Sequence, residues 1–356
     1  MKRRMKVGII GMGAIGPVHA DAYGANSGEA ELCGICDIDP DKLELHGEKR
    51  GIPKAGRFRR YRDLLASDIE AVDVCVGNTL HQEIAVAALR TGKHVLLEKP
   101  MAMNAVEAAA ILEAAKRSGK TLQIGMVKRQ CGDLRLVRQY VKDGFFGKIY
   151  HLRAVLIRHR GIPGLGGWFT TKAMSGGGPL IDIGVHWLDA AMYAAGLWKP
   201  TGVSAKCHQK FGGKMRDYRY VSMWAGPPNF DGVSNVEDYA TGLVRFGGEA
   251  TMSFEFAWAA NAADSEYIEI LGDKAGARIF TNQPLKIMTE IEGGLAEVTP
   301  RFPDPGNVFH LQAKAFLAAC RGEAKPAATG KEGLTVMKLI DAIYESDQRG
   351  AEVKIG

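Results

Sequence analysis

The sequence has 356 residues and no apolar run near the roughly 20 residues that a membrane-spanning helix needs. Its start, Met1-Lys2-Arg3-Arg4-Met5-Lys6-Val7, leads into an apolar stretch that stops at Gly11, too early for a secretory leader. We therefore expect a soluble cytoplasmic protein. Cysteine is sparse, six in all, at positions 33, 36, 75, 131, 207 and 320. Cys33-Gly34-Ile35-Cys36 has close spacing, but it falls in an expected strand, where residues three apart point to opposite faces. With no second pair at zinc spacing, this argues against a metal or redox centre. The nine histidines show neither H-x-x-x-H nor H-E-x-x-H spacing. No long basic block occurs. Lys2-Arg3-Arg4 and Arg57-Phe58-Arg59-Arg60-Tyr61-Arg62 are short clusters without a nucleic-acid-reading module around them. Repeats, low-complexity segments and heptads are also missing.

What is abundant is glycine, 44 residues, against an average of about 7%. The glycines cluster at 11–16, 161–167 and 176–178, where backbone turns tightly or approaches a ligand. A hydrophobic fraction of 46% with 24% charge supports packed cores, and the length suits two domains.

Residues 1–126 alternate short apolar strands with helices, which predicts a doubly wound parallel sheet, a Rossmann-type α/β domain. Asp39-Pro40 predicts a helix start, with Asp as cap and Pro at the first helical position. Asn104-Ala105-Val106-Glu107 predicts another. Residues 127–356 change rhythm. Strands are expected over 149–159, 201–210, 239–246, 250–258 and 267–271, and helices over 131–143, 179–195, 310–320 and 331–348. That pattern predicts an α+β domain with a large, mostly antiparallel open sheet.

Gly11-Met12-Gly13-Ala14-Ile15-Gly16 follows the first strand and opens a helix. In that setting the three glycines serve the turn, the approach of a pyrophosphate and close helix–strand packing, and the helix start supplies N–H groups for phosphates. Asp37 ends the second strand 21 residues after Gly16, where an acid accepts bonds from an adenosine ribose and repels a 2′-phosphate. Ile38 follows it, with no Arg alongside in sequence, so NAD is expected over NADP.

Glu98-Lys99-Pro100 follows a buried parallel strand, at the edge where such sheets bind ligands. Gly176-Gly177-Gly178 precedes Asp182 and His186, which are four apart and share a helix face. Together with the glycine fingerprint and the closing Glu332-Gly333-Leu334…Asp341-Ala342 helix, these motifs resemble the Gfo/Idh/MocA family of NAD(P)-dependent oxidoreductases, which act mostly on sugars and polyols. The resemblance covers nearly the whole chain. It implies that Lys99, Asp182 and His186 stand beside the nicotinamide, and that the open sheet face builds a homo-oligomer, a dimer or larger. It also implies cofactor contacts by Gly11, Gly13, Ala14, Ile15, Gly16, Asp37, Asn78, His81, Glu98 and Lys99. The sequence departs from the commoner family pattern at Gly77-Asn78-Thr79, with His81 retained. It departs again at Met126-Val127-Lys128-Arg129, which leaves Lys128 or Arg129 to frame the nicotinamide.

Oxidation of an alcohol requires loss of a hydroxyl proton along with the hydride. His186 has the unperturbed pKa suited to take that proton near neutrality, Lys99 suits a developing alkoxide, and Asp182 suits a neighbouring hydroxyl. Lys99 and His186 are also readable in exchanged roles. The run from Arg158 and His159 through Gly161 to Trp168 reads as a lid or sugar-stacking loop, with a packed loop as the alternative. Tyr239 and Trp258 read as core or interface aromatics. The expected activity is NAD-dependent oxidation of a ring secondary hydroxyl on a sugar or glycoside, with a lean towards C3. The alternatives are an inositol or polyol dehydrogenase and, in another class, a catalytically silent NAD-binding regulator. No nucleic-acid or membrane partner and no metal are expected.

Overall fold

A computed structural model describes residues 3–221 and 223–356. Met1 and Lys2, which begin the first basic cluster, lie outside the described residues, as does Ser222. The chain divides into two compact units. The first joins the chain up to Gln130 to Pro305–Leu334, and the second joins Cys131–Asp304 to Thr335–Gly356.

The first unit is built on strands β1 (Met5–Ile10), β2 (Ala30–Cys36), β3 (Arg57–Phe58), β4 (Ala71–Val74), β5 (His94–Leu97) and β6 (Leu122–Ile124). They form one sheet in the order β3-β2-β1-β4-β5-β6, and every pairing is parallel. Strand order reverses between β1 and β4, so the crevice for a ligand opens at their carboxyl ends. The strands read as nearly unbroken apolar runs because helices cover both faces. Helices α1 (Gly16–Ala25), α2 (Pro40–Lys49), α3 (Tyr61–Leu65), α4 (His81–Arg90) and α5 (Ala105–Ser118) make the crossovers. Asp39 caps α2 by accepting the Asp41 N–H at 3.0 Å. Asn104 caps α5 through the Glu107 N–H at 2.9 Å, and Glu107 reaches back to the Met103 N–H. Both expected caps are therefore in place.

The second unit carries β7 (Ile149–Ile157), β8 (Pro200–His208), β9 (Tyr239–Phe246), β10 (Thr251–Ala257), β11 (Ser265–Gly272), β12 (Ala275–Phe280), β13 (Lys286–Ile291), β14 (Gly294–Val298) and β15 (Val353–Lys354). The order is β14-β13-β12-β11-β7-β10-β9-β8-β15. All neighbours are antiparallel except β7 and β10. Its helices are α6 (Gly132–Lys142), α7 (Lys172–Ser175) and α8 (Val185–Ala195). The face bearing Leu152, Ala154, Phe254, Phe256, Ile268 and Ile270 is buried, and Gly184, just before α8, lies so close to it that a Cβ would stand 2.6 Å from the Phe256 ring.

Two helices remain. Helix α9 (Val308–Cys320) sends Ala313, Phe316 and Leu317 into the core of the first unit, against Val7, Ile9, Met12 and Tyr23. Helix α10 (Gly330–Arg349) begins in the first unit and continues into the second. Gly333 leaves its packing room to Ile124 and Met101, where a Cβ would meet atoms at 2.9 Å. Among the described residues no helix is long and apolar enough to cross a membrane.

Candidate active site

The glycine turn behaves as three different devices. Gly11 has φ +95°, and a Cβ on it would stand 2.3 Å from the Cys75 carbonyl oxygen. A Cβ on Gly16 would stand 2.0 Å from the Gly11 carbonyl oxygen. Neither contact is tolerable, so these two positions hold the turn and the close start of α1. Gly13 is the opposite case: a Cβ there meets nothing within 4 Å. Its missing side chain serves open space, which fits a ligand backbone rather than protein packing. Ala14 is exposed with it, and Ile15 at the helix cap makes no side-chain capping bond. The first-turn N–H groups of α1 carry no acidic side chain either. That leaves the positive end of the helix to an anion.

Asp37 is fixed beside this turn. Its Oδ2 accepts the Met12 N–H at 2.7 Å and its Oδ1 accepts the Asp39 N–H at 2.9 Å. The carboxylate is thereby aimed by backbone, with lone pairs left for ribose hydroxyls. No Arg is adjacent to Ile38 in sequence, but the fold brings the Arg59 guanidinium within 3.4 Å of the Ile38 carbonyl oxygen. The chain leaves β3 next to β2, which puts Arg59 there. The residues present fit NAD: a cradle that a Cβ would fill at two points, open space at a third, and an acid for the ribose.

At the ends of β4 and β5 the expected residues divide. Asn78 is buried in the short turn Asn78–Leu80. His81 is fully buried, with Nδ1 2.7 Å from the Pro100 carbonyl and Nε2 3.0 Å from the Val76 carbonyl. Its ring is held by backbone, so it braces the Glu98-Lys99-Pro100 turn. Glu98 is buried too. Its Oε2 accepts the Lys99 N–H at 3.2 Å, and its Oε1 lies 3.2 Å from His19 Nε2. The other nitrogen of His19 is 2.8 Å from Asp73 Oδ2, and Tyr23 Oη donates to that same oxygen at 3.2 Å. A buried imidazole thus sits between two buried carboxylates. Burial alone would lower the His19 pKa, but Asp73 and Cys75 together outweigh it and hold the pKa well above the usual value. The Glu98 carboxyl, which burial alone would raise, is held below its usual value by His19. Sequence reading missed His19 and Asp73. The signal available was a His three residues after Gly16 and an acid inside an apolar strand. The Lys99 side chain is partly exposed.

In the second unit, Leu180–Gly184 is a π-turn that runs directly into α8. The expected single helix over 179–195 therefore starts with a widened turn. Such turns recur at functional sites. From Gly177 to Met192 every residue is buried except Asp182 and His186. Trp258, expected as a core or interface aromatic, is buried and also donates its indole N–H to Asp182 Oδ2 at 3.2 Å. The segment is anchored at its start by Glu237. Glu237 Oε1 accepts the Gly178 N–H at 3.0 Å, the Leu180 N–H at 3.2 Å and the Tyr344 hydroxyl at 2.9 Å. Burial pushes the Glu237 carboxyl above its usual pKa against those three donors.

The remaining candidates scatter. Arg129 is 2% exposed, with its guanidinium 3.0 Å from Glu332 Oε2 and 2.8 Å from the Ala327 carbonyl. It ties β6 to the start of α10, and of the pair only Lys128 keeps a partly exposed side chain. Arg158 lines a cavity of about 410 Å³ with Arg160, Tyr267, Arg278 and Phe280. Tyr267, Arg278 and Phe280 stand on the sheet face opposite the buried one. His159 is exposed, and its N–H donates to Asp264 Oδ1 at 2.6 Å. Trp168 is 39% exposed, its ring 3.9 Å from Phe169, which meets Trp224 edge-on at 5.0 Å.

Comparison with known proteins gives the same architecture. Residues 5–126 match the family described as "Oxidoreductase family, NAD-binding Rossmann fold", and residues 134–278 match the GFO/IDH/MocA C-terminal domain. The chain is 32% identical over 354 residues to D-glucoside 3-dehydrogenase of Escherichia coli (strain K12), covering 99% of this chain and 97% of the relative. It is 30% identical over 193 residues to myo-inositol 2-dehydrogenase of Thermotoga maritima, covering 54% of this chain and 55% of the relative. The solved structure of levoglucosan dehydrogenase in complex with NADH shares the fold with a TM-score of 0.86 at 22% identity, covering 99% of this chain and all of that one. Both halves of the sequence, matched in order and over most of their length, make the chain a member of the Gfo/Idh/MocA family and an NAD-dependent oxidoreductase.

Proposed function

We propose that the protein oxidises a ring secondary hydroxyl of a sugar or glycoside to a ketone, at C3, reversibly and with NAD. One observation carries the chemistry: a helix segment buried on all sides except at an aspartate and a histidine four residues on. A stretch that exposes only those two side chains suits a polar substrate with neighbouring hydroxyls. The choice of glycoside over inositol rests on extent of similarity. D-glucoside 3-dehydrogenase is matched over 99% of the chain and the inositol relative over 54%. The regulator reading has no comparable support, because Asp182 and His186 keep their exposure and Asp182 is oriented by Trp258.

The main-chain N–H groups from Gly13 to Gly16 hold the pyrophosphate, Asp37 accepts from ribose hydroxyls, and Asn78 and Lys99 contact the cofactor further along. His81 and Glu98 support that edge from beneath. NAD, when bound, accepts the hydride leaving the carbinol carbon. His186 takes the hydroxyl proton as the O–H bond breaks, so that proton and hydride account for both hydrogens lost. Lys99 stabilises charge developing on the oxygen, and Asp182 accepts from an adjacent hydroxyl and orients the ring. Lys128 and Trp168 are retained as substrate contacts. The protein works as a homo-oligomer, which suits the partly exposed sheet face bearing Arg153, Tyr267 and Arg278. A cytoplasmic setting suits six cysteines held as thiols.

The test is absorbance at the NADH band with methyl glucoside, free glucose and myo-inositol, with and without added NAD. Reduction fastest with the glycoside is the expected result. Reduction by myo-inositol alone overturns the substrate, and binding of NAD with no reduction by any polyol favours the regulator.

A further inference from the structure

Glu237-Asp238, immediately before β9, grips the run into the Asp182–His186 segment twice. Glu237 receives the Gly178 and Leu180 N–H groups on one carboxylate oxygen. The Asp238 carbonyl accepts the Trp258 N–H at 3.0 Å, and the Trp258 indole N–H goes on to Asp182. Both grips converge on the same few residues from one short stretch of chain.

The glycines are fitted to this contact. A Cβ on Gly178 would stand 1.9 Å from the Glu237 carbonyl oxygen, and a Cβ on Gly177 1.9 Å from the Tyr344 hydroxyl. Tyr344 is what closes the arrangement, since its hydroxyl donates to the same Glu237 oxygen at 2.9 Å. The carboxylate also lies at the beginning of a helical segment, where backbone N–H groups are otherwise unsatisfied. The π-turn starts two residues after Gly178, with the Asp182 N–H donating to the Gly178 carbonyl at 3.1 Å. Fixing Gly178 and Leu180 therefore fixes the turn on which Asp182 sits and the entry to α8 that carries His186.

We propose that Glu237, oriented by Tyr344, is a positioning residue for the oxidation. It sets the start of the Asp182–His186 segment and thereby the aim of both side chains. The proposal rests on the reading that Asp182 and His186 carry the chemistry. It predicts an effect on turnover and not on cofactor binding, because a displacement of about 1 Å at reacting groups costs roughly 100-fold.

The experiment compares Glu237→Ala, Glu237→Gln and Tyr344→Phe in the full-length protein, with His186→Ala alongside. Turnover of methyl glucoside, its KM, NADH binding stoichiometry and the thermal midpoint are measured for each. Glu237→Ala should lose kcat by about 100-fold with NADH binding intact. Glu237→Gln keeps an acceptor oxygen in place and should recover most of it. Tyr344→Phe removes one donor and should lose kcat by roughly threefold to tenfold. If Glu237→Ala fails to fold, the Gln and Phe variants decide: the proposal requires Phe to lower kcat at constant NADH stoichiometry and Gln to stay near wild type. A folded Glu237→Ala with wild-type kcat overturns the proposal while leaving the site reading intact. Wild-type kcat in His186→Ala overturns the site reading and the proposal with it.

Discussion

The two units hold their functional groups by opposite means. In the first, the groups proposed to hold the phosphates are backbone N–H groups of a single contiguous turn, and Asp37 beside them is itself fixed by backbone. In the second, the functional groups are two side chains left partly exposed on an otherwise buried helix segment. They are aimed by groups distant in sequence: Glu237 lies 59 residues beyond Gly178, and Trp258 lies 76 beyond Asp182. The first arrangement is rigid because nothing larger than glycine fits at Gly11 and Gly16. The second is rigid only while its hydrogen-bond partners are present. A cofactor common to many enzymes suits the first, and a substrate that differs from enzyme to enzyme suits the second.

The comparison breaks most visibly at the glycines. Gly16→Ala forces a Cβ against the Gly11 carbonyl oxygen and should cost about 1–3 kcal/mol of stability together with NAD affinity. Gly13→Ala meets open space, so its thermal midpoint should stay at wild type while NAD affinity falls. Titration with NADH beside thermal melts separates the two. Equal destabilisation by both would mean that Gly13 serves packing after all.

In the second unit, Trp258→Phe keeps the buried ring and removes the donor to Asp182. It should lower kcat by roughly tenfold, with NADH affinity unchanged. A parallel loss of NADH affinity would contradict the division of labour between the units.

The smallest effect concerns the buried group behind Glu98. His19 faces Asp73, Glu98, Tyr23 and Cys75, and its pKa in the folded protein is raised. The stability it contributes is complete below the unfolded value of about 6.5 and is lost as pH rises through the raised folded value. The thermal midpoint should therefore decline from neutral into alkaline pH, and His19→Gln should flatten that decline. An unchanged slope in the variant would place the titrating group elsewhere.

Legibility in the sequence followed locality. The cradle was readable because Gly11, Gly13, Gly16 and Asp37 lie within one strand–turn–helix–strand unit. The starts of α2 and α5 were readable because a cap and its helix are adjacent. Strand β3 was not, since two residues of an edge strand carry no alternation, and Arg57–Arg62 read as a basic cluster. Strands β12 to β14 were missed as well. Their flanking turns are short, and positions such as Leu295 are exposed, so no inward–outward pattern marks them. Asp182 and His186 stood out by their spacing. Glu237, Tyr344 and Trp258 did not, because a buried acid, a helix tyrosine and a strand tryptophan gain meaning only when the chain folds them onto the glycine run. Pro305–Leu334 likewise carries a helical pattern that does not say which unit it joins.

The most direct measurement is a single turnover of NAD-saturated His186→Ala with methyl glucoside, followed at the NADH band beside wild type. We predict a rate lower by about 10²–10⁴-fold, with NADH stoichiometry and affinity unchanged. A rate within a few-fold of wild type would remove His186 as the proton acceptor and take the chemistry away from the exposed pair on the buried helix.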